Sequence, residues 1–381
     1  MANPGDKNWT TSEMTMNYIR KVVAVNGNDI TVDAPVVDGI DATYADGYLM
    51  RFNWSNKVEN VGIEDMYFDS QYTSITDENH GWIAMNFENM QNGWARNIEV
   101  HHYGYSAVNI SDYASFITVD NCKYIDPISQ TIQSRKYSFS VNGQRNLVKN
   151  CLTDGGRHDY VVGSGATCGP NVFFNCTAVN QNADIGPHQK WATGLLFDEV
   201  EGDRDMNVQN RVNSGSGHGW TGAQVMYWNC TAPTFIIQSA PGTTNWAVGC
   251  VGNVTAYGDY LKSTNYPGVV QSTNSKLPFS LFEQQLCERL QNCALQTKVN
   301  ENQIIDFEVY PNPFQNEINL TFKSEGSYRV SMYNLLGETV MNDSFEGKTY
   351  HLQSDLAEGM YVLQVEINGV VETYKMVRSM E

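Results

Sequence analysis

Ile117-Thr118-Val119-Asp120-Asn121-Cys122, Asn146-Leu147-Val148-Lys149-Asn150-Cys151 and Val172-Phe173-Phe174-Asn175-Cys176 are short apolar runs that each end in Asn-Cys. The pattern returns at Val225-Met226-Tyr227-Trp228-Asn229-Cys230, and Trp246-Ala247-Val248-Gly249-Cys250 keeps the cysteine. Related runs without cysteine come earlier, at Val61-Gly62-Ile63-Glu64-Asp65 and Asn97-Ile98-Glu99-Val100. The cysteine steps are 29, 25, 54 and 20 residues. The long step equals about two of the others, with Gly194-Leu195-Leu196-Phe197-Asp198 as the strand between. Short strands at this period, separated by polar turns, indicate a solenoid. No 3.6-residue apolar pattern spans the units, and leucine-rich spacing is absent, so the expected fold is a right-handed parallel β-helix with coils stacked at about 4.8 Å. Asn at equivalent turns can then hydrogen-bond up and down the stack.

Outward from the repeat, Tyr18 to Pro35 reads as a β-hairpin, because Asn26-Gly27 sits between alternating apolar residues. Residues 279–290 carry helical spacing at Leu281, Phe282, Leu286 and Leu290 and should flank the last coil. This places the β-helix at 1–290 and a polar linker at 291–305. Met1 to Lys7 has no apolar core of a signal peptide. With strand-like sequence starting almost at once, the expectation is a truncated N-terminus.

The chain of 381 residues is long enough for two domains. It has 24 Lys+Arg against 42 Asp+Glu, a net charge of −18. That argues against nucleic acid as a partner, since phosphate binding needs clustered cations. No apolar run reaches the roughly 18 residues of a membrane helix, so no membrane span is expected. With 31 Gly and 21 Tyr the composition suits an all-β, turn-rich chain. Cys122, Cys151, Cys176 and Cys230 hold a repeat position and read as buried thiols. Cys168 with Cys176, or Cys287 with Cys293, remain open as disulfides.

The C-terminal segment has its own character. Tyr310-Pro311-Asn312-Pro313-Phe314, Leu335-Leu336-Gly337 and Gly359-Met360-Tyr361-Val362-Leu363-Gln364-Val365 occur in order, followed by a turn at Asn368-Gly369. Ile318, Leu320 and Phe322, and again Tyr361, Leu363 and Val365, alternate as half-buried strands do. Residues 306–381 resemble the C-terminal sorting domain of the type IX secretion system of Bacteroidetes. The resemblance implies a small Ig-like β-sandwich read by the type IX secretion machinery, and a secreted or surface-attached protein.

Chemistry concentrates between strands of the central coils. Gly156-Arg157-His158-Asp159-Tyr160, Asp184 to Gly194, and Asn207 to Trp220 hold three of the seven histidines and many of the scarce cations. Arg135 and Tyr137 lie one coil earlier. Stacked coils should put these segments on one lateral face, where a cationic patch suits an anionic substrate; the competing reading is loop-closing ion pairs with Asp159, Asp184 and Asp198. Trp191 and Trp220 could stack on sugars or fill loops.

The blocks GRHDYV, GPHQKWATG and NVQNRVNSGSGHGWTGAQ, within about Asn60 to Arg289, resemble an uncharacterised branch of the pectate-lyase-like β-helix proteins. The resemblance implies action on a polysaccharide. Those lyases' calcium-binding Asp cluster is not evident, leaving a divalent cation such as calcium open as a cofactor. β-Elimination needs a base for the proton α to a uronate carboxylate and a cation at that carboxylate. His188 or Lys190 is the expected base. Arg157 and Arg211 would bind the carboxylate, with Asn210 or His188 assisting, and His158 and His218 have suitable chemistry. Arg135, Tyr137, Asp159, Trp191, Asn210, His218 and Trp220 would contact the acidic polysaccharide. Hydrolysis by a pair drawn from Asp159, Asp184 and Asp198 is the alternative, and a non-catalytic carbohydrate-binding surface is the third reading.

Overall fold

The computed structural model describes residues 9, 15–41, 43, 46–163, 165–271, 274–290, 307–334, 339–353, 355–367 and 370–379. The chain divides into two compact units, Met1–Cys293 and Ala294–Glu381. The expected fold class holds: a parallel β-helix is followed by a small antiparallel β domain. The expected linker at 291–305, together with Cys293 and the Leu335–Gly337 and Asn368–Gly369 turns, lies outside the described residues.

The first unit begins with the antiparallel pair Val22–Asn26 and Asp29–Val32. Among the described residues, the coils that follow form three parallel sheets. The largest stacks Gly62–Asp69, Trp94–His101 and Thr118–Ile125, and then the paired short strands of each later coil. A second carries Ile83–Phe87, Ser106–Ile110, Tyr137–Val141, His158–Val162 and Gly186–Pro187. The third is Val58–Glu59, Met90–Gln91 and Ala114–Ser115.

The reason for Asn before Cys is visible at the corner of the large sheet. Asp65, Asn97, Asn121, Asn150, Asn175, Glu199 and Asn229 occupy equivalent positions, all left-handed, with φ between 49° and 55°. Asn tolerates this conformation because its short amide bonds locally, whereas most L residues are strained there. The amides also link coils. Asn97 Nδ2 donates to Asp65 at 2.9 Å, Asn121 to Asn97 at 2.9 Å, Asn150 to Asp120 at 2.8 Å and Asn175 to Asn150 at 2.8 Å. Asn229 closes the ladder by donating to the Phe279 carbonyl at 2.7 Å, just before the helix Leu281–Leu290.

One residue on, the chain turns inward. Cys122, Cys151, Cys176, Cys230 and Cys250 form a buried column of free thiols, and Val200 takes the cysteine's place in the coil that produced the 54-residue step. Cys168 is also free, so the Cys168–Cys176 pairing does not form: both side chains are buried apart, each with its own backbone acceptors. Cys287 is disulfide-bonded. Deeper in the core, Phe173, Phe197 and Tyr227 stack at 5.0 and 4.8 Å, one ring per coil.

In the second unit, five strands from Phe307–Tyr310 to Val370–Arg378 pair antiparallel. Ile318, Leu320, Phe322, Tyr361, Leu363 and Val365 are buried as their alternation requires. The Pro-Asn-Pro-Phe motif anchors the chain start: Phe314 is buried and its N–H donates to Val377 O at 2.8 Å, while Asn312 Oδ1 accepts from Val377 N at 2.9 Å.

Asn150→Ala removes two ladder bonds and leaves Ala at φ 55°. It should cost about 2 kcal/mol, and Asn150→Gly about 1 kcal/mol because only the bonds are lost. Urea midpoints of the purified variants measure this; equal losses would show that backbone strain plays no part.

Candidate functional site

Each central coil delivers one imidazole to the same place. His158 starts the strand His158–Val162 and stands in register with Tyr137. His188 extends the next coil beyond Gly186–Pro187, its N–H bonded to Val162 O at 2.9 Å. His218 returns through the loop after Met206–Val208, because Arg211 N donates to Gly219 O at 2.8 Å and Lys190 N to His218 O at 3.0 Å. Gly215, at φ +56°, permits that return: a Cβ there would lie 2.3 Å from His218 Nε2.

The rings are close-packed. His158 and His188 centroids lie 4.5 Å apart, His188 and His218 4.8 Å, and Tyr137 sits 5.0 Å from His158 and 5.5 Å from His188. His158 and His188 are buried, while His218 is half-buried. Behind them Arg211, also buried, bonds through Nη2 to Asp184 and to Asn207 Oδ1 at 3.3 Å, and through Nη1 to His188 Nδ1 at 3.3 Å.

These contacts assign tautomers. A carbonyl only accepts, so the 3.0 Å contact between His158 Nδ1 and Asp184 O requires the proton on Nδ1. His158 Nε2 then carries the lone pair, and it has no partner. Arginine only donates, so His188 Nδ1 accepts and its Nε2 holds the proton when neutral. Arg211 Nε and His218 Nδ1 are likewise buried without partners.

Electrostatics keep the imidazoles neutral. Burial pushes His158 down to about 4, with Arg211 and Arg157 adding to the effect and Asp184 opposing it. His218 falls to about 4 through burial, then Arg211, Lys190 and Arg157. His188 is lowered furthest, by burial, His158 and Arg211. Burial opposes ionisation of Asp184, but Arg211 and then His158 and His188 outweigh it and hold the carboxyl below its usual range. Burial pushes Tyr137 up to about 12.

Not every expected residue joins this cluster. Arg135 turns away to a two-point ion pair with Glu78, at 2.6 and 2.9 Å. Asp159 is fully buried against Ser138 Oγ at 2.6 Å, and burial raises it to about 6. Asn210 is buried in its own turn, Oδ1 accepting from Val212 N at 2.8 Å. Trp191 donates to Asp38 Oδ2 at 2.6 Å, on the side where the N-terminal segment packs, and Trp220 is buried edge-on against Tyr266. Trp220 is thus buried, whereas Trp191 is half-buried with its N–H taken. Lys190 has its backbone in the site, at φ 50°, and its charge reaches His218. Arg157 is half-buried and donates to Gln133 O.

The hydrolytic trio does not assemble. Asp198 accepts from Ser280 Oγ at 2.8 Å and Phe282 N at 2.7 Å, capping the helix Leu281–Leu290. Asp159 lies in the interior, and Asp184 is committed to Arg211. Among the described residues no group of three or more His, Cys, Asp or Glu side chains is placed to hold a metal ion. The His101–His102 pair is satisfied by Glu99 and Asp69, at 2.8 and 2.7 Å.

Sequence reasoning missed Asn207 and Tyr260, whose ring lies 5.6 Å from Arg211 Cζ. Asn207 sits inside a block already singled out. Tyr260 comes from a later coil and carries no local signal.

Two outcomes follow from the buried charges. Asp184→Asn strands Arg211 and should cost about 3 kcal/mol, much of it recovered in Asp184→Asn/Arg211→Gln, because an unpaired buried charge costs more than a missing pair. A denaturant double-mutant cycle reads this; additive losses would contradict the coupling. Second, the unfolded chain takes protons on His158 and His218 near 6.5, which the fold refuses until about 4. Their contribution to stability is therefore full above pH 6.5 and is lost as pH falls toward 4. Melting temperatures across that window should drop less steeply in His158→Gln.

Residues 308–379 match the family model of the secretion system C-terminal sorting domain. No curated protein matches the chain. No helix among the described residues is long and apolar enough to cross a membrane. The sorting segment marks the chain as a type IX substrate of Bacteroidetes, secreted or held at the cell surface.

Proposed function

We propose that the first unit is a polysaccharide lyase that cleaves a uronate-containing polymer by β-elimination. The observation that carries this reading is the stack of three neutral imidazoles packed against Arg211 and within the field of Arg157 and Lys190. The resemblance of these coils to pectate-lyase-like β-helix proteins supports the same substrate class, as does export, since polysaccharides are met outside the cell.

His218 takes the α proton, because it is the imidazole of the three that substrate reaches first; His188 lies behind it, its Nδ1 lone pair occupied by Arg211. The C–H electron pair becomes the new carbon–carbon double bond as the β C–O bond breaks; the departing oxygen takes a proton from solvent water, and the hydroxide left behind takes the proton held by His218. Arg157 faces the carboxylate on which charge builds; Arg211, expected there too, is buried on Asp184 behind the imidazoles and instead orients His188. Lys190, expected as a base, serves here as a further cation.

The cations that lower the imidazoles also explain activation. An incoming carboxylate offsets the fields of Arg211, Lys190 and Arg157, so the imidazole pKa rises on binding. The empty site rests uncharged at its base, and the occupied one has a base strong enough to act.

Purified protein given a panel of uronate polysaccharides should release an unsaturated, ultraviolet-absorbing product together with reducing ends. Reducing ends without absorbance would overturn elimination, and silence in both would overturn the lyase. His218→Ala should lower turnover at least about a hundredfold with the melting temperature retained. The acid limb of kcat should lie at higher pH than that of kcat/KM, because the bound carboxylate raises the base. Coincident limbs would contradict substrate-triggered activation.

A further inference from the structure

Residues 256–263 form a loop that no sequence motif marks, yet two buried glutamines fix it beside the imidazole cluster. Gln209 Oε1 accepts from Asp259 N at 2.8 Å, and its Nε2 donates to Asp259 Oδ2 at 3.1 Å. Gln238 Nε2 donates to Ala256 O at 2.8 Å and Leu261 O at 3.2 Å. Leu261 N reaches Asn210 O at 3.3 Å, joining the loop to the segment that carries Arg211. Gln209 and Gln238 are 1% and 0% exposed, so these amides have no water to exchange with.

What it presents is unusual for a loop so well anchored. Tyr260 has one side toward the buried Arg211 guanidinium, 5.6 Å from its ring centroid, yet remains 42% exposed. Lys262 is exposed on the same loop, its Nζ 5.5 Å from the exposed Tyr257 ring. An anchored aromatic with an open side, on a loop that also exposes an ammonium, fits a sugar ring that bears a carboxylate: the ring's C–H face packs on the arene, and the ammonium reaches for the acid group.

We infer that this loop is a sugar-binding subsite adjoining the imidazole cluster, with Tyr260 as the platform and Lys262 as the contact for the carboxylate of the uronate unit bound there. The inference rests on the lyase reading and adds to it the side on which the polymer extends. It also supplies the aromatic platform that Trp191 and Trp220, both engaged elsewhere, do not.

The test is the dependence of KM on substrate length. Uronate oligosaccharides of increasing length are given to the wild-type chain, Tyr260→Ala, Tyr260→Phe and Lys262→Gln, each checked by thermal melting. Tyr260→Ala should raise KM about tenfold for substrates long enough to span the subsite. The rise should shrink as the substrate shortens toward the smallest cleavable oligomer, and Tyr260→Phe should behave as wild type. Lys262→Gln should raise KM for the same long substrates. An equal Tyr260→Ala effect at every length would mean that the ring acts only by covering Arg211, and would overturn the subsite. No effect at any length would overturn it too, while leaving the lyase intact. A wild-type chain inactive on every uronate substrate would overturn both.

Discussion

Everything in the first unit depends on one residue per coil that can turn left-handed at the corner of the large sheet. Because Asp65, Asn97, Asn121, Asn150, Asn175, Glu199 and Asn229 all do so at equivalent positions, each coil leaves the sheet at the same point. The amide ladder then ties successive corners together. A stack of coils has few contacts beyond nearest neighbours, so a slip at one corner would pass to every face above it. The buried thiol column and the stacked aromatics stay aligned for the same reason. Glu199 interrupts the amides where Val200 interrupts the thiols, and the helix Leu281–Leu290 packs near that end, its start capped by Asp198.

The same alignment creates the site. Tyr137, His158, His188 and His218 come from successive coils or the loops between them, and none is near another in sequence except through the stack. Burying that many polar rings requires partners, and the Arg211–Asp184 pair provides them. Asp184 neutralises the guanidinium while its carbonyl fixes the His158 tautomer, and Arg211 fixes that of His188. The cluster is thus held neutral and oriented at once. The Arg135–Glu78 pair lies further out, each side chain about a quarter exposed.

The second unit has a separate logic. Its alternating strands need no coil above or below, and its core is closed by Phe314 at the start of the unit meeting the strand at its end. A fold complete in itself suits a segment recognised as an address, and the family match over 308–379 accords with that.

The sequence by itself determined the solenoid, its period and the sorting segment, because these repeat or alternate along the chain and backbone conformation follows local residue type. Asn-Cys announced both the corner and the buried thiol, and the 54-residue step was legible as a coil with other residues in those places. It also marked the three segments that hold the cluster. Only the tertiary structure decided which of their side chains meet. Residue type cannot tell whether Arg135 or Arg211 faces inward, nor that Trp191 is engaged by Asp38 from more than a hundred residues away. Asp159, Asp184 and Asp198 looked alike as acids, yet one is interior, one is paired and one caps a helix. Tyr260 reached the cluster from a later coil through glutamines that carry no motif. Those outcomes depend on stacking distance and on which buried charge finds a counter-charge, and neither is written in the spacing of residues along one coil.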